Sequence, residues 1–235
     1  MDPKKLFVDE RLKGICAYCG VNCGGNANSR DHVPSKVLLD EPYPENLPVA
    51  DACLKCNSGF SADEEYLSCL IECVIHGTTE PNDKFREKVA KTLKARPLIA
   101  ARIAHGKTSD QNGNPVWQPE SARVREVVLK LARGHMSYEL GLQHVEEPSI
   151  VDIFPLPYLN EEEFESFNSF DEAGSFLYPE IGSRAFVNLL SGKPTAYGGW
   201  SVVQEGRYRY AIGQSSGDWV KFVLSEYLAC HVVWE

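Results

Sequence analysis

Hydrophobic positions in the middle of the chain recur with the period of an α-helix. Phe85, Val89 and Leu93 are spaced four residues apart among lysines and arginines, which predicts an amphipathic helix. The proline at position 97 should end or kink this helix, and a second short helix should follow it. A longer amphipathic helix is predicted over about residues 122–132, because its aliphatic residues fall on one side. We therefore predict a helical central region over about residues 83–141.

The C-terminal part of the chain has a different pattern. Its segments are rich in aromatic and β-branched residues and are separated by glycine-containing turns, which is typical of β-strands in a meander. We predict a small antiparallel sheet over about residues 183–235, preceded by an acidic linker with a short helix over about residues 145–182. The predicted strands cover residues 185–190, 200–204, 207–212, 219–224 and 227–234.

The cysteines are concentrated in the first third of the chain. Cys16 and Cys19 form one C-x2-C pair, and Cys53 and Cys56 form a second. Each pair can supply two thiolates from one tight turn, and four such ligands satisfy a tetrahedral zinc ion. We therefore predict a structural zinc site at these cysteines, with four buried free thiols as the alternative. Cys23 could substitute for one ligand or be an ordinary loop cysteine.

The net charge of −9 at first disfavours a nucleic-acid partner, since phosphate binding normally requires a basic surface. The charge is unevenly distributed, however. Residues 84–134 carry a net charge of +8, whereas residues 135–182 carry −11. The total therefore does not exclude nucleic acid. We expect the basic segment to face nucleic acid and the acidic segment to lie away from it or to cover the site.

Composition and the N-terminus indicate the class of protein and its compartment. Hydrophobic residues make up 43% of the chain, which is typical of a globular protein and excludes global disorder. No apolar run of about 18 residues is present, so we expect no membrane partner. The N-terminal Met-Asp-Pro-Lys-Lys lacks the apolar segment of a secretory signal. Together with the clustering of the cysteines in the first third of the chain, this predicts a cytoplasmic protein.

An ordered set of short motifs surrounds the two cysteine pairs. Asp31-His32-Val33-Pro34 lies between the pairs, Asn46-Leu47 follows it, and Asn57 comes directly after the second pair. This order, over about residues 14–67, resembles the HNH endonucleases in an HNN-type variant. The core of that family is a ββα-metal fold, which is often braced by a four-cysteine zinc.

The resemblance implies a role for each motif residue. His32 would be the general base that removes a proton from the attacking water. Asp31 would bind a catalytic divalent metal, Mg²⁺ or Mn²⁺, and Asn57 would be a further ligand of that ion. Asn46 would orient the base. Phosphodiester hydrolysis independently suits these residue types, because it needs an activated water and positive charge on the phosphate.

The resemblance also implies a fold and a domain organisation. The fold class would be α+β. Residues 1–80 would form a zinc-braced, treble-clef-like ββα-metal module, and residues 81–235 would form a companion α+β region. The segments Leu129–Gly134 and Leu224–Trp234 look like the companion region of some bacterial HNH proteins, with no activity attached to them.

The implied activity is a metal-dependent endonuclease that acts on nucleic acid, with double-stranded DNA as the expected substrate. Many relatives have Lys or Arg shortly after the final motif position, whereas Gly59 and Phe60 stand there in this chain. Arg30, Lys36 or the basic helices would then have to supply the positive charge. The alternative is a catalytically inactive zinc module that binds nucleic acid or protein.

Overall fold

The computed structural model describes residues 13–24, 28–170 and 178–235. Within these ranges the chain forms two compact units. The first unit comprises the described parts of residues 1–59 and 129–235, and the second comprises residues 60–128. These units divide the chain at other positions than the predicted domains 1–80 and 81–235, which stay a prediction. In the part of the chain that is described, no helix has both the length and the apolar character of a membrane span.

The first unit begins with a β-hairpin followed by a helix. Strand β1 (Asn28–His32) pairs antiparallel with β2 (Val49–Cys53), and helix α1 (Leu54–Gly59) follows β2 directly. A short 3-10 helix, Lys36–Leu38, lies in the connection between the strands. The order strand, strand, helix is the order predicted for this segment. It places the second cysteine pair where β2 passes into α1.

The second unit is mainly helical. Helices α2 (Ser61–His76), α3 (Glu87–Ala95) and α4 (Pro97–His105) pack together. The four-residue spacing predicted α3, and Pro97 separates it from α4 as expected. A small hairpin of β3 (Lys107–Ser109) and β4 (Pro115–Trp117) follows. Helix α5 (Ser121–Leu140) is longer than the predicted 122–132, and the division between the units falls within it.

Ion pairs within the second unit engage several cations of the basic segment. The guanidinium of Arg86 is buried, 2.7 Å from a carboxylate oxygen of Glu72. Arg123 lies 2.5 Å from a carboxylate oxygen of Asp63, and Arg96 pairs with Glu65. These cations stabilise the packing of α2 with its neighbours. The net charge of the segment therefore overstates the charge that it can offer to nucleic acid.

The C-terminal part of the first unit contains the predicted antiparallel sheet. Its strands lie in the order β5-β9-β8-β7-β6. They are β5 (Ile150–Pro155), β6 (Ser201–Gln204), β7 (Tyr208–Gly213), β8 (Asp218–Leu224) and β9 (Leu228–Trp234). The last four correspond to predicted strands. The predicted short acidic helix is α6 (Glu161–Asn168), which begins with a capping box formed by Asn160 and Glu163.

Two elements near this sheet differ from the prediction. The segment 185–190 was predicted as a strand but lies in helix α7 (Arg184–Leu190). The hydroxyl of Ser183 accepts a hydrogen bond from the backbone N–H of Phe186 at 3.2 Å and so caps this helix. Strand β5 lies in the segment that was predicted as a linker. It pairs along its whole length with β9. Because β9 is distant in the chain, the local sequence around β5 does not indicate this pairing.

Candidate functional site

The four predicted zinc ligands come together in the first unit. The Sγ atoms of Cys16, Cys19, Cys53 and Cys56 all lie within 4.8 Å of one another, and those of Cys19 and Cys53 are 3.8 Å apart. A tetrahedral zinc ion with Zn–S bonds of about 2.3 Å requires sulfur atoms about 3.8 Å apart. The number, type and spacing of the donors therefore fit a bound zinc ion. Cys23 lies outside the cluster, and its thiol donates to the carbonyl of Val21 at 3.3 Å.

Backbone hydrogen bonds shape both cysteine turns. The N–H of Gly20 donates to the carbonyl of Cys16 at 2.9 Å. Gly20 has a φ of 74°, a backbone conformation that glycine adopts without steric strain. In the second turn, the N–H of Cys56 donates to the Sγ of Cys53 at 3.4 Å. This hydrogen bond lowers the pKa of the Cys53 thiol to about 7. A thiolate, the form that binds metal, is thereby favoured at this position.

An open pocket lies on one face of the hairpin. It has a volume of about 450 Å³ and is lined by both His32 and Asn46, the predicted base and its orienting residue. Three cations, Arg30, Lys36 and Arg184, also line the pocket. The structure thus brings two of the predicted site residues into one cavity, and the two cations that the sequence had offered as substitutes lie beside them.

Arg184 is a pocket residue that sequence reasoning missed. Its guanidinium lies 4.0 Å from the ring centroid of Tyr138, and its Nε donates to the Tyr138 carbonyl at 3.3 Å. Cation–π contact and hydrogen bond together fix the guanidinium at the pocket wall. The two residues are 46 positions apart and lie outside the motifs. No local pattern could have identified them.

Burial and nearby charge shift the pKa of His32. Partial burial lowers the pKa of the imidazole, and the positive charge of Lys36 lowers it further. Both effects disfavour the protonated ring. His32 is therefore neutral at neutral pH, with a nitrogen lone pair available to accept a proton.

Asp31 points to the opposite face of β1 and is buried. Its Oδ2 accepts a hydrogen bond from the hydroxyl of Tyr18 at 2.7 Å and lies 2.9 Å from the Nζ of Lys130. The Nδ2 of Asn57 donates to the Ser29 Oγ at 3.1 Å. A divalent ion at Asp31 would have to share the carboxylate with a buried ammonium. These contacts give no support to a catalytic metal ion held by Asp31 and Asn57, which stays a prediction.

No protein-family model, no curated protein and no solved structure matches this chain. Membership of a family is therefore not shown, and the resemblance to HNH endonucleases rests on the motifs alone. The function has to be argued from the cysteine cluster and from the pocket that contains His32.

Proposed function

We propose that this chain is a nuclease of the HNH type, which hydrolyses phosphodiester bonds with His32 as the general base. One observation carries the proposal: His32 and Asn46 line a single open pocket together with Arg30, Lys36 and Arg184. A neutral imidazole in a pocket that is also lined by cations suits the hydrolysis of a phosphodiester.

The chemistry assigns a different task to each part of the pocket. The neutral ring of His32 would accept a proton from the attacking water. A phosphodiester is anionic, and its transition state carries additional negative charge. The guanidinium and ammonium groups around His32 would stabilise that charge from fixed positions, without reorganisation during the reaction.

Zinc at the four cysteines would have a structural role in this proposal. The cysteine cluster joins the turn at Cys16 and Cys19 to the junction between β2 and α1. It thereby holds the hairpin whose first strand ends at His32. All four positions are filled by thiols, so that no coordination site remains for water, as is usual for a structural zinc ion.

Double-stranded DNA is the proposed substrate, and the catalytic Mg²⁺ or Mn²⁺ implied by the resemblance remains a prediction. The contacts of Asp31 and Asn57 give it no support. We therefore attribute no step of the reaction to that ion, and the metal requirement is part of the test.

The test is a cleavage assay with supercoiled plasmid and with labelled single-stranded DNA and RNA. Wild type, His32→Ala and His105→Ala should be compared with Mg²⁺, with Mn²⁺ and without added divalent ions. His105 is an exposed histidine of α4 and serves as the matched control. We expect cleavage by wild type and His105→Ala, and a loss of about 10²-fold or more in His32→Ala. Failure of folded wild type to cleave any substrate under any of these conditions would refute the proposal.

The alternative is a zinc module that binds nucleic acid without cleaving it. The same three cations favour this alternative, because they could bind phosphate without chemistry at His32. It predicts salt-dependent binding that is unchanged in His32→Ala, with no cleavage by wild type.

A further inference from the structure

Lys130 is a buried cation in the first unit. Only 1% of its surface is exposed. Its Nζ lies 2.9 Å from the Oδ2 of Asp31 and donates to the Oγ of Ser35 at 2.5 Å. The ammonium also lies 5.9 Å from the ring centroid of Tyr18. Burial of an ammonium is costly unless it is paired and hydrogen-bonded. Lys130 is paired with Asp31 and hydrogen-bonded to Ser35.

The close approach of helix α5 to β1 depends on Gly134. This glycine is one turn beyond Lys130, so that both residues lie on the same face of the helix. A Cβ atom at position 134 would lie 2.6 Å from the Cγ2 of Val33. Any larger residue at position 134 would therefore require the Val33 side chain or the helix to shift. Gly134 thus leaves room for Val33, which follows β1, beside the turn of α5 that carries Lys130. Lys130 and Gly134 both lie within the Leu129–Gly134 segment, to which the sequence attached no activity.

We propose that the ammonium of Lys130 takes the place of a divalent cation at Asp31. Asp31 and Lys130 are then a pair of positioning residues, which fix β1 so that His32 faces the pocket. The charge of the substrate is met by Arg30, Lys36 and Arg184 instead of by a metal ion on Asp31. This inference rests on the proposed function for the consequence at His32, but the exclusion of a divalent ion from Asp31 can be tested without any activity.

The surroundings of Asp31 are unsuitable for Mg²⁺ or Mn²⁺. Its Oδ2 already accepts from two donors, the hydroxyl of Tyr18 and the ammonium of Lys130. A Mg²⁺ ion needs about six oxygen ligands, several of which are usually water. Asp31 is only 7% exposed, which leaves little room for bound water. A divalent ion there would also be repelled by the ammonium of Lys130. An ion on the same carboxylate would lie next to the Lys130 ammonium for as long as Lys130 keeps its buried hydrogen-bonded position.

The direct test measures Mn²⁺ binding by electron paramagnetic resonance on the intact, zinc-loaded protein. We expect wild type and Asp31→Asn to bind the same number of Mn²⁺ ions with the same affinity. We also expect Mn²⁺ and Mg²⁺ to leave the melting temperature of wild type unchanged. A Mn²⁺ site in wild type that is lost in Asp31→Asn would overturn the proposal.

Removal of the ammonium should make Asp31 available to a divalent ion. Lys130→Met leaves the buried carboxylate without its cation, so we expect a lower melting temperature that Mn²⁺ or Mg²⁺ partly restores. If Lys130→Met folds and gains neither Mn²⁺ binding nor stabilisation by Mn²⁺, the replacement of a divalent ion by Lys130 is wrong. If this variant does not fold, Mn²⁺ binding by wild type is compared with Mn²⁺ binding by Asp31→Asn/Lys130→Met, which leaves no unpaired buried charge and so decides the question.

The double variant Asp31→Asn/Lys130→Met tests the consequence for His32. It replaces a charged pair by a neutral pair, which avoids an unpaired buried charge. We expect a reduced kcat but continued cleavage that depends on His32 and is the same with and without added Mg²⁺. A loss as complete as that of His32→Ala, with the fold intact, would contradict a role of the pair that is limited to positioning His32. If wild type cleaves nothing, the proposed function fails, while the Mn²⁺ measurements still decide the inference about Lys130.

Discussion

Asp31 and His32 are consecutive residues of β1 whose side chains lie in opposite environments. The carboxylate of Asp31 is buried 2.9 Å from the ammonium of Lys130. The imidazole of His32 lines an open pocket with three cations. Side chains alternate along a strand. One face of β1 therefore carries a buried ion pair, and the other face carries a residue of an open pocket. The ion pair can fix the backbone without occupying the pocket.

The first prediction concerns the pH dependence of cleavage. Burial and the charge of Lys36 lower the pKa of His32, and a general base acts in its neutral form. The rate should therefore be fully present above this lowered pKa and fall about tenfold per pH unit below it. Lys36→Gln removes one cause of the lowered pKa, so the acidic limb of the kcat/KM profile should move to higher pH. Lys91→Gln, an exposed change in α3, should leave the limb in place; a shift to lower pH in Lys36→Gln would contradict the argument.

A second prediction concerns the cation that the sequence did not reveal. Arg184→Ala removes a guanidinium that Tyr138 holds at the pocket wall. We expect kcat/KM to fall by about 10²-fold, because a fixed positive charge next to the transition state is lost. Lys193→Ala changes an exposed cation that does not line the pocket and is the matched control. Equal activity of the two variants in steady-state assays would remove Arg184 from the site.

The cysteine cluster gives a third prediction. Cys53→Ser should reduce the zinc content from one ion per chain to none and lower the melting temperature, because the folded hairpin depends on the bound metal. Cys23→Ser is the control, because Cys23 is a buried thiol close to the first cysteine pair in the chain but lies outside the cluster. Metal analysis and thermal melts measure both effects. Loss of zinc from both variants would show that Cys23 is a ligand.

The fourth prediction concerns packing at the end of β1. Gly134→Ala places a Cβ 2.6 Å from Val33 and should lower the free energy of unfolding by about 1–3 kcal/mol through overpacking. Gly199→Ala should have a much smaller effect, since its Cβ would meet no atom within 4 Å. Urea unfolding curves of the two variants make the comparison. Equal midpoints would mean that α5 and β1 can separate at no cost.

Local sequence patterns were sufficient for some parts of the fold. The paired cysteine spacing anticipated the cluster of four thiols, since two tight turns bring two donors each. The four-residue spacing from Phe85 to Leu93 anticipated α3, and the alternation of glycine turns with apolar segments anticipated most of the C-terminal sheet. In each case the information lies within one element or between close neighbours in the chain.

Other parts depend on contacts that no local pattern records. Helix α7 has a strand-like composition, but the cap at Ser183 decides its conformation. The resemblance to HNH endonucleases predicts Asp31 as a ligand of a metal ion. In the structure its carboxylate pairs with Lys130, which is 99 positions away in the chain. Arg184 reaches the pocket from a segment without any motif. The catalytic roles of His32 and Asn46 remain predictions, although both residues line one cavity.

The hydrogen bond between Lys130 and Ser35 joins residues that are 95 positions apart. Contacts of such long separation form late when a chain emerges from the ribosome, because both partners must first have been synthesised. The ligands of the cysteine cluster, by contrast, are complete once residue 56 has emerged. The nascent chain could therefore bind its metal long before Asp31 meets its counter-charge. The pocket itself would be completed later still, when α5 and then Arg184 have been synthesised.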